Sequence, residues 1–179
     1  MSYIIENILI MDNANKEYDD EEYYNLCKKL VQKKGTYIRF IKNQTEELCL
    51  EAVQECGQAI IFIKKESQTH NVCIKALEQD WTSLLFMRNP TEEIYLFALN
   101  ICTDALQFID QVKQTQKICE HAVKLNGLAL KHIIKQTYEL CKLAVEQNGY
   151  AIHYVDEEFE TTELVSIAKK WKKPYLILE

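Results

Sequence analysis

An all-α architecture, a short helical-repeat solenoid of about seven units, is predicted by three features of this 179-residue chain. One motif recurs at alternating intervals of 22 and 24 residues. Inside each copy the apolar residues fall at helical spacing, and four Gly and two Pro are too few for a loop-rich fold.

The clearest copies open at Thr45, Thr115 and Thr137 and read Thr, two polar residues, an aliphatic residue, Cys, two residues, Ala-Val, three residues, Gly, one residue, Ala-aliphatic. Degraded copies open at Thr69 and Thr91, and the terminal ones at Tyr23 and Thr161. The starts are separated by 22, 24, 22, 24, 22 and 24 residues, so the underlying period is a 46-residue pair. Cys56 and Cys102, 46 residues apart, occupy the same place in the longer copies. The two extra residues are expected between the short element after Gly and the next Thr.

Each element has a local reason. Counting from the opening residue, offsets 3, 4, 7 and 8 fall on one face of a helix; in the copy at Thr45 they are Leu48, Cys49, Ala52 and Val53, with Glu46, Glu47 and Glu51 on the other side. Thr is a good N-cap, and carboxylates in the first turn, such as Glu92 and Glu93, suit the positive end of the helix dipole. Gly35, Gly57, Gly127 and Gly149 stand where a left-handed residue would end the helix. The following run, as in Ala59, Ile60, Ile61, Phe62 and Ile63, favours a second, shorter helix. The rival is a strand, giving an α/β solenoid with one helix and one short strand per unit. Tyr37–Phe40 and the run Tyr175, Leu176, Ile177, Leu178 favour that rival most.

Such short units bury their apolar stripes only by stacking. Residues 1–22 are expected to be an amino-terminal cap, residues 23–179 a single array, and the last unit, 161–179, its carboxyl-terminal cap.

Composition narrows the chemistry. Twenty-one Lys and Arg against 27 Asp and Glu give a net charge of -6, which disfavours nonspecific binding to duplexes or anionic membranes. There is no basic segment ahead of the first apolar run and no 18-residue apolar stretch, so a cytoplasmic location, in a host cell for a viral protein, is expected. Cys27, Cys49, Cys73, Cys119 and Cys141 all occupy offset 4, with no C-x-x-C, and read as small buried hydrophobes; no metal site and no cofactor is inferred. His70, His121, His132 and His153 show no ligand spacing, and His132 stands where Phe62 and Phe86 stand in other copies. Asp19–Glu22 and the Glu pairs at 46–47, 92–93 and 157–158 read as helix entries.

The phrases AVKLNGLALKHI and AVEQNGYAIHYV resemble the DUF4116 repeat family of bacteria and giant viruses. The resemblance covers most of residues 23–160, is strongest at 115–155 and fades at Asp80-Trp81 and Cys102-Thr103, where Asn-Gly is lost. It implies a helical repeat and almost nothing catalytic, and it leaves function open.

The informative surface is apolar. Offsets 5 and 6 point away from the core stripe, yet carry Leu50, Ile74, Leu96 and Phe97, a ladder that serves either as a second packing surface or as a protein-docking face. The expected function is therefore a non-catalytic protein-recognition scaffold, in one concrete form an effector or inhibitor of a cellular protein. Structural self-assembly is the nearest rival. Nucleic-acid binding, through Lys28, Lys29, Lys33, Lys34, Arg39 and Lys42, is the weaker one. No catalytic residue and no small-molecule substrate is inferred.

Overall fold

The computed structural model describes residues 20–171. The amino-terminal cap expected over residues 1–22 lies outside them apart from residues 20–22, which begin the first helix, as does the Tyr-Leu-Ile-Leu run. Among the described residues seven α-helices follow in order: α1 (Asp20–Lys33), α2 (Glu46–Glu55), α3 (His70–Gln79), α4 (Glu92–Ile101), α5 (Gln116–Leu125), α6 (Tyr138–Gln147) and α7 (Thr162–Lys170). After each of the first six comes a six-residue 3-10 helix: η1 (Gly35–Phe40), η2 (Gly57–Phe62), η3 (Trp81–Phe86), η4 (Thr103–Phe108), η5 (Gly127–His132) and η6 (Gly149–Tyr154). Among the described residues there is no strand, so the helical version of the repeat holds and the helix-plus-strand alternative is rejected.

The alternating spacing has a structural cause. The 24-residue repeats carry an extra three-residue 3-10 turn, Lys65–Ser67, Gln111–Lys113 or Glu157–Phe159, between the six-residue element and the next Thr. The 22-residue repeats cross the same interval with a bend. Every opening Thr caps its helix: Thr45, Thr69, Thr91, Thr115, Thr137 and Thr161 each accept a bond from the backbone N–H three residues on, at 3.3–3.4 Å.

Contacts divide the chain into two compact units, one through Ile94 and one from Tyr95. In the amino-terminal unit, α2 packs on α1 and α3, and η2 on η1 and η3. In the carboxyl-terminal unit, α6 packs on α5 and α7, and η5 on η4 and η6. Both cores use the same offsets: Leu48, Cys49, Ala52, Val53, Ala59 and Ile60 are buried in one repeat, and Ile118, Cys119, Ala122, Val123, Ala129 and Leu130 in another. Equivalent residues keep register, Leu48, Ile94 and Leu140 all being buried.

The glycines do a different job from the one expected. Among the described residues no glycine has positive φ, and none is a left-handed helix stop. Each opens a 3-10 helix, and the turn is made by the extended residue before it, for example Asn126 at φ -153, ψ 110. A Cβ on Gly127 would lie 2.3 Å from the Ala144 carbonyl oxygen, and one on Gly57 2.6 Å from that of Ala76. Glycine is thus required because the next α-helix passes too close for any side chain. Where Thr103 replaces it, η4 meets the next helix, α5, less extensively than η5 meets α6.

A glutamine immediately before the cap ties repeats together. Gln44 Nε2 donates to the Ile38 and Phe62 carbonyls at 3.1 and 3.0 Å, while its Oε1 accepts from the Lys64 N–H at 2.8 Å. Gln68, Gln114 and Gln136 bond neighbouring backbone in the same way. One side chain thereby bonds carbonyls at the ends of two 3-10 helices: the Ile38 carbonyl, which also accepts from the Ile41 N–H at 3.0 Å, and the Phe62 carbonyl of the next repeat.

Candidate protein-interaction site

The four residues expected to bind protein divide between the two units. Leu50 on α2 and Ile74 on α3 belong to the amino-terminal unit, where these helices pack side by side. Leu96 and Phe97 on α4 belong to the carboxyl-terminal unit. All four are half-buried. Their offsets lie on the flank of the packing stripe, so neighbouring side chains cover part of each.

In the carboxyl-terminal unit Leu96 lines a shallow cavity of about 410 Å³ with Gln116, Lys117, Glu120, His121 and Lys124. The last five stand on successive turns of α5, which places a polar wall beside an aliphatic side chain. A second cavity, of about 670 Å³, shares Gln116, Glu120 and Lys124 and continues between α5 and α6 over Cys119, Leu140 and Leu143. Together they form one groove with an apolar patch at each end and a charged ridge between. The ridge is held in place: Gln116 Nε2 donates to Glu120 at 2.8 Å, and Lys124 approaches the same carboxylate at 3.4 Å. These two contacts hold the Glu120 carboxyl below the usual range. His121 Nε2 lies 2.8 Å from Asn100 Oδ1, fixing the ring against α4. Leu96 is thus an aliphatic side chain beside a polar rim. Leu143 partly restores the apolar ladder at offset 6, but the cavity that makes it and Leu140 relevant depends on α5.

The cysteine column is buried. Each Sγ of Cys49, Cys73 and Cys119 points at the backbone carbonyl of the glutamine five residues earlier, at 3.7–3.8 Å, and Cys141 Sγ donates to Gln136 Oε1 at 3.1 Å. Burial pushes the Cys49 thiol up to about 12 and those of Cys73 and Cys141 up to about 11. Nucleophilic and metal-binding chemistry need the thiolate, which these surroundings disfavour. Among the described residues no group of three His, Cys, Asp or Glu could hold a metal ion. His132 is half-buried as expected of its place in the repeat, with Nε2 3.4 Å from Asp104, which also pairs with Lys131 at 3.2 Å. Hydrogen bonding to Lys131, its Coulombic field and the contact with His132 hold Asp104 below its usual value against a smaller desolvation penalty.

Stacked α-helix and 3-10 helix pairs, Thr-capped and bridged by glutamine, define an all-α repeat protein of the kind that presents side chains on a regular scaffold. Residues 116–160, which take in the two best-formed repeats, match the family model DUF4116, a domain of unknown function. No curated protein and no solved structure matches the chain. Among the described residues no helix is long and apolar enough to cross a membrane.

Proposed function

We propose that the chain is a non-catalytic protein-recognition scaffold, acting as an effector or inhibitor that occupies the surface of a cellular protein. The observation that carries this reading is the groove along α4, α5 and α6, where Leu96 and Leu143 stand at the two ends of the polar ridge Gln116, Glu120 and Lys124. A repeat fold supports such a role because its backbone is fixed by buried offsets, leaving the outer offsets free to vary for a partner.

The test compares the unmodified chain with Leu96→Ser/Phe97→Ser in pull-downs, beside circular dichroism melts. Loss of an interface anchor costs at least about 2 kcal/mol, so capture of a specific partner falls by about 30-fold while the melts stay close. Equal capture by two equally folded proteins would reject the groove. A melt lowered by several degrees would assign both side chains to internal packing instead.

A further inference from the structure

The 3-10 side of the amino-terminal unit carries an apolar and basic face that the groove does not use. At offset 16 three adjacent repeats place Arg39, Ile61 and Leu85 outward; Ile61 is 39% exposed and Leu85 54%. The Arg39 guanidinium lies 4.7 Å from the Phe40 ring centre and 5.5 Å from that of Phe62, bridging two repeats. Three residues further on, at offset 19, stand Lys42, Lys64 and Arg88, all exposed. Lys64 Nζ donates to the Lys42 carbonyl at 2.6 Å, which sets these positions side by side.

At offsets 19–21 the corresponding edge of the carboxyl-terminal unit carries the opposite charge, while its offset 16 is Gln107, Lys131 and His153. Offset 19 there is Asp110, Ile134 and Asp156. Over offsets 19–21 the amino-terminal unit has Lys42, Lys64, Lys65 and Arg88 against Glu66, a net +3. The carboxyl-terminal unit has Asp110, Asp156, Glu157 and Glu158 against Lys135, a net -3. Apolar side chains accompany both charges: Val112 is 85% exposed, Ile134 67% and Tyr154 42%. Both edges are built by the same repeat, so each presents one set of side chains per helix-packing interval of about 8–10 Å. Two edges of matched pitch, opposite charge and exposed apolar side chains are complementary.

We propose that the basic 3-10 edge of one chain docks the acidic 3-10 edge of a second copy, a head-to-tail contact. The groups between the cations are aliphatic and the phenylalanines half-buried, so this face offers a docking partner apolar anchors and not the exposed aromatic platform that unstacked bases require. The inference is independent of the groove: of these side chains Lys135 alone lines it, and the proposed contact does not rest on that residue.

The test uses sedimentation velocity on the full chain and two charge-reversed variants, Lys42→Glu/Lys64→Glu/Arg88→Glu and Asp110→Lys/Asp156→Lys. The unmodified chain self-associates, more strongly at low salt. Each variant alone sediments as a monomer, its association weakened at least about tenfold, because its two edges now carry like charge. An equimolar mixture associates again, since the native acidic edge of one variant meets the native basic edge of the other; recovery also shows both variants to be folded. An unmodified chain that stays monomeric at about 100 μM, where even a weak specific contact is populated, overturns the proposal. So does a mixture that fails to recover. A basic-edge variant that loses a fluorescent single-stranded oligonucleotide, with no self-association in the parent, reassigns the face to nucleic acid.

Discussion

Replacing Gly127 by Ala separates two physical reasons for a glycine. If the residue served only as a flexible stop, its backbone, which has no positive φ, would accept alanine, and stability would rise by about 0.4–1 kcal/mol as the unfolded chain lost freedom. The structure argues the reverse. The new Cβ would sit 2.3 Å from the Ala144 carbonyl oxygen, 3.0 Å from Gln147 Oε1 and 3.1 Å from Asn148 Cβ. Relief requires the end of α6 to withdraw by roughly 1 Å, in a close-packed interior that yields little. The Ala144 carbonyl accepts from the Asn148 N–H at 2.8 Å, and Gln147 Oε1 accepts from the Gly127 N–H at 2.6 Å, so the shift strains both bonds. Overpacking costs about 1–3 kcal/mol and a weakened hydrogen bond about 0.5–1.5 kcal/mol, against the unfolded-state gain. The net is a loss of about 1–3 kcal/mol, which for a chain of this size lowers the melting temperature by roughly 3–10 °C. Urea unfolding followed by circular dichroism reads it directly. Unchanged or increased stability would refute the close-approach account.

Gln44→Ala removes partners from the Ile38 and Phe62 carbonyls and the Lys64 N–H, and is expected to cost about 2–4 kcal/mol in urea unfolding, whereas exposed Gln116→Ala stays within about 0.5 kcal/mol; equal effects would show that the glutamine bridges contribute nothing. Under a thiol reagent at mildly alkaline pH, half-buried Cys56 and Cys102 react first and the five buried cysteines only on unfolding; prompt modification of all seven thiols would contradict the buried column. Glu51, held below the usual range by Gln32 and Lys28, and Asp104, held there by Lys131, contribute stability that is present above ordinary carboxylate values and is lost as pH falls through and below them. Melting temperature therefore declines below about pH 4, modestly because these groups are partly exposed; a decline confined to alkaline pH would reverse the sign of the argument.

The parts legible in the sequence were those set by local chemistry. Thr caps and apolar offsets 3, 4, 7 and 8 located the helices, and the 22/24 alternation located the extra 3-10 turn. The post-glycine element was harder, because apolar residues at successive and third positions suit a strand, an α-turn or a 3-10 helix about equally. The role of Gly127 was hidden because its cause, the Ala144 carbonyl, lies on the next repeat. The glutamine column did leave a trace: Gln44, Gln68, Gln114 and Gln136 keep the repeat spacing, although Pro90 interrupts them. A polar residue before a cap looks like ordinary loop, and its bonds appear only when two repeats are stacked. At the candidate site, Leu96 stood out as an apolar residue at an outward offset, while the groove beside it is made by side chains of α5 and α6.

The measurement that bears most directly on the recognition surface is photo-crosslinking in cells from a benzophenone side chain placed at Glu120, in the ridge of the groove, with the same group at exposed Gln107 on the 3-10 side of the same unit as reference. The account predicts a discrete heterologous protein adduct from position 120, lost on adding Leu96→Ser, and none of that mass from position 107. The same adduct from both positions, or one from position 107 alone, would contradict it.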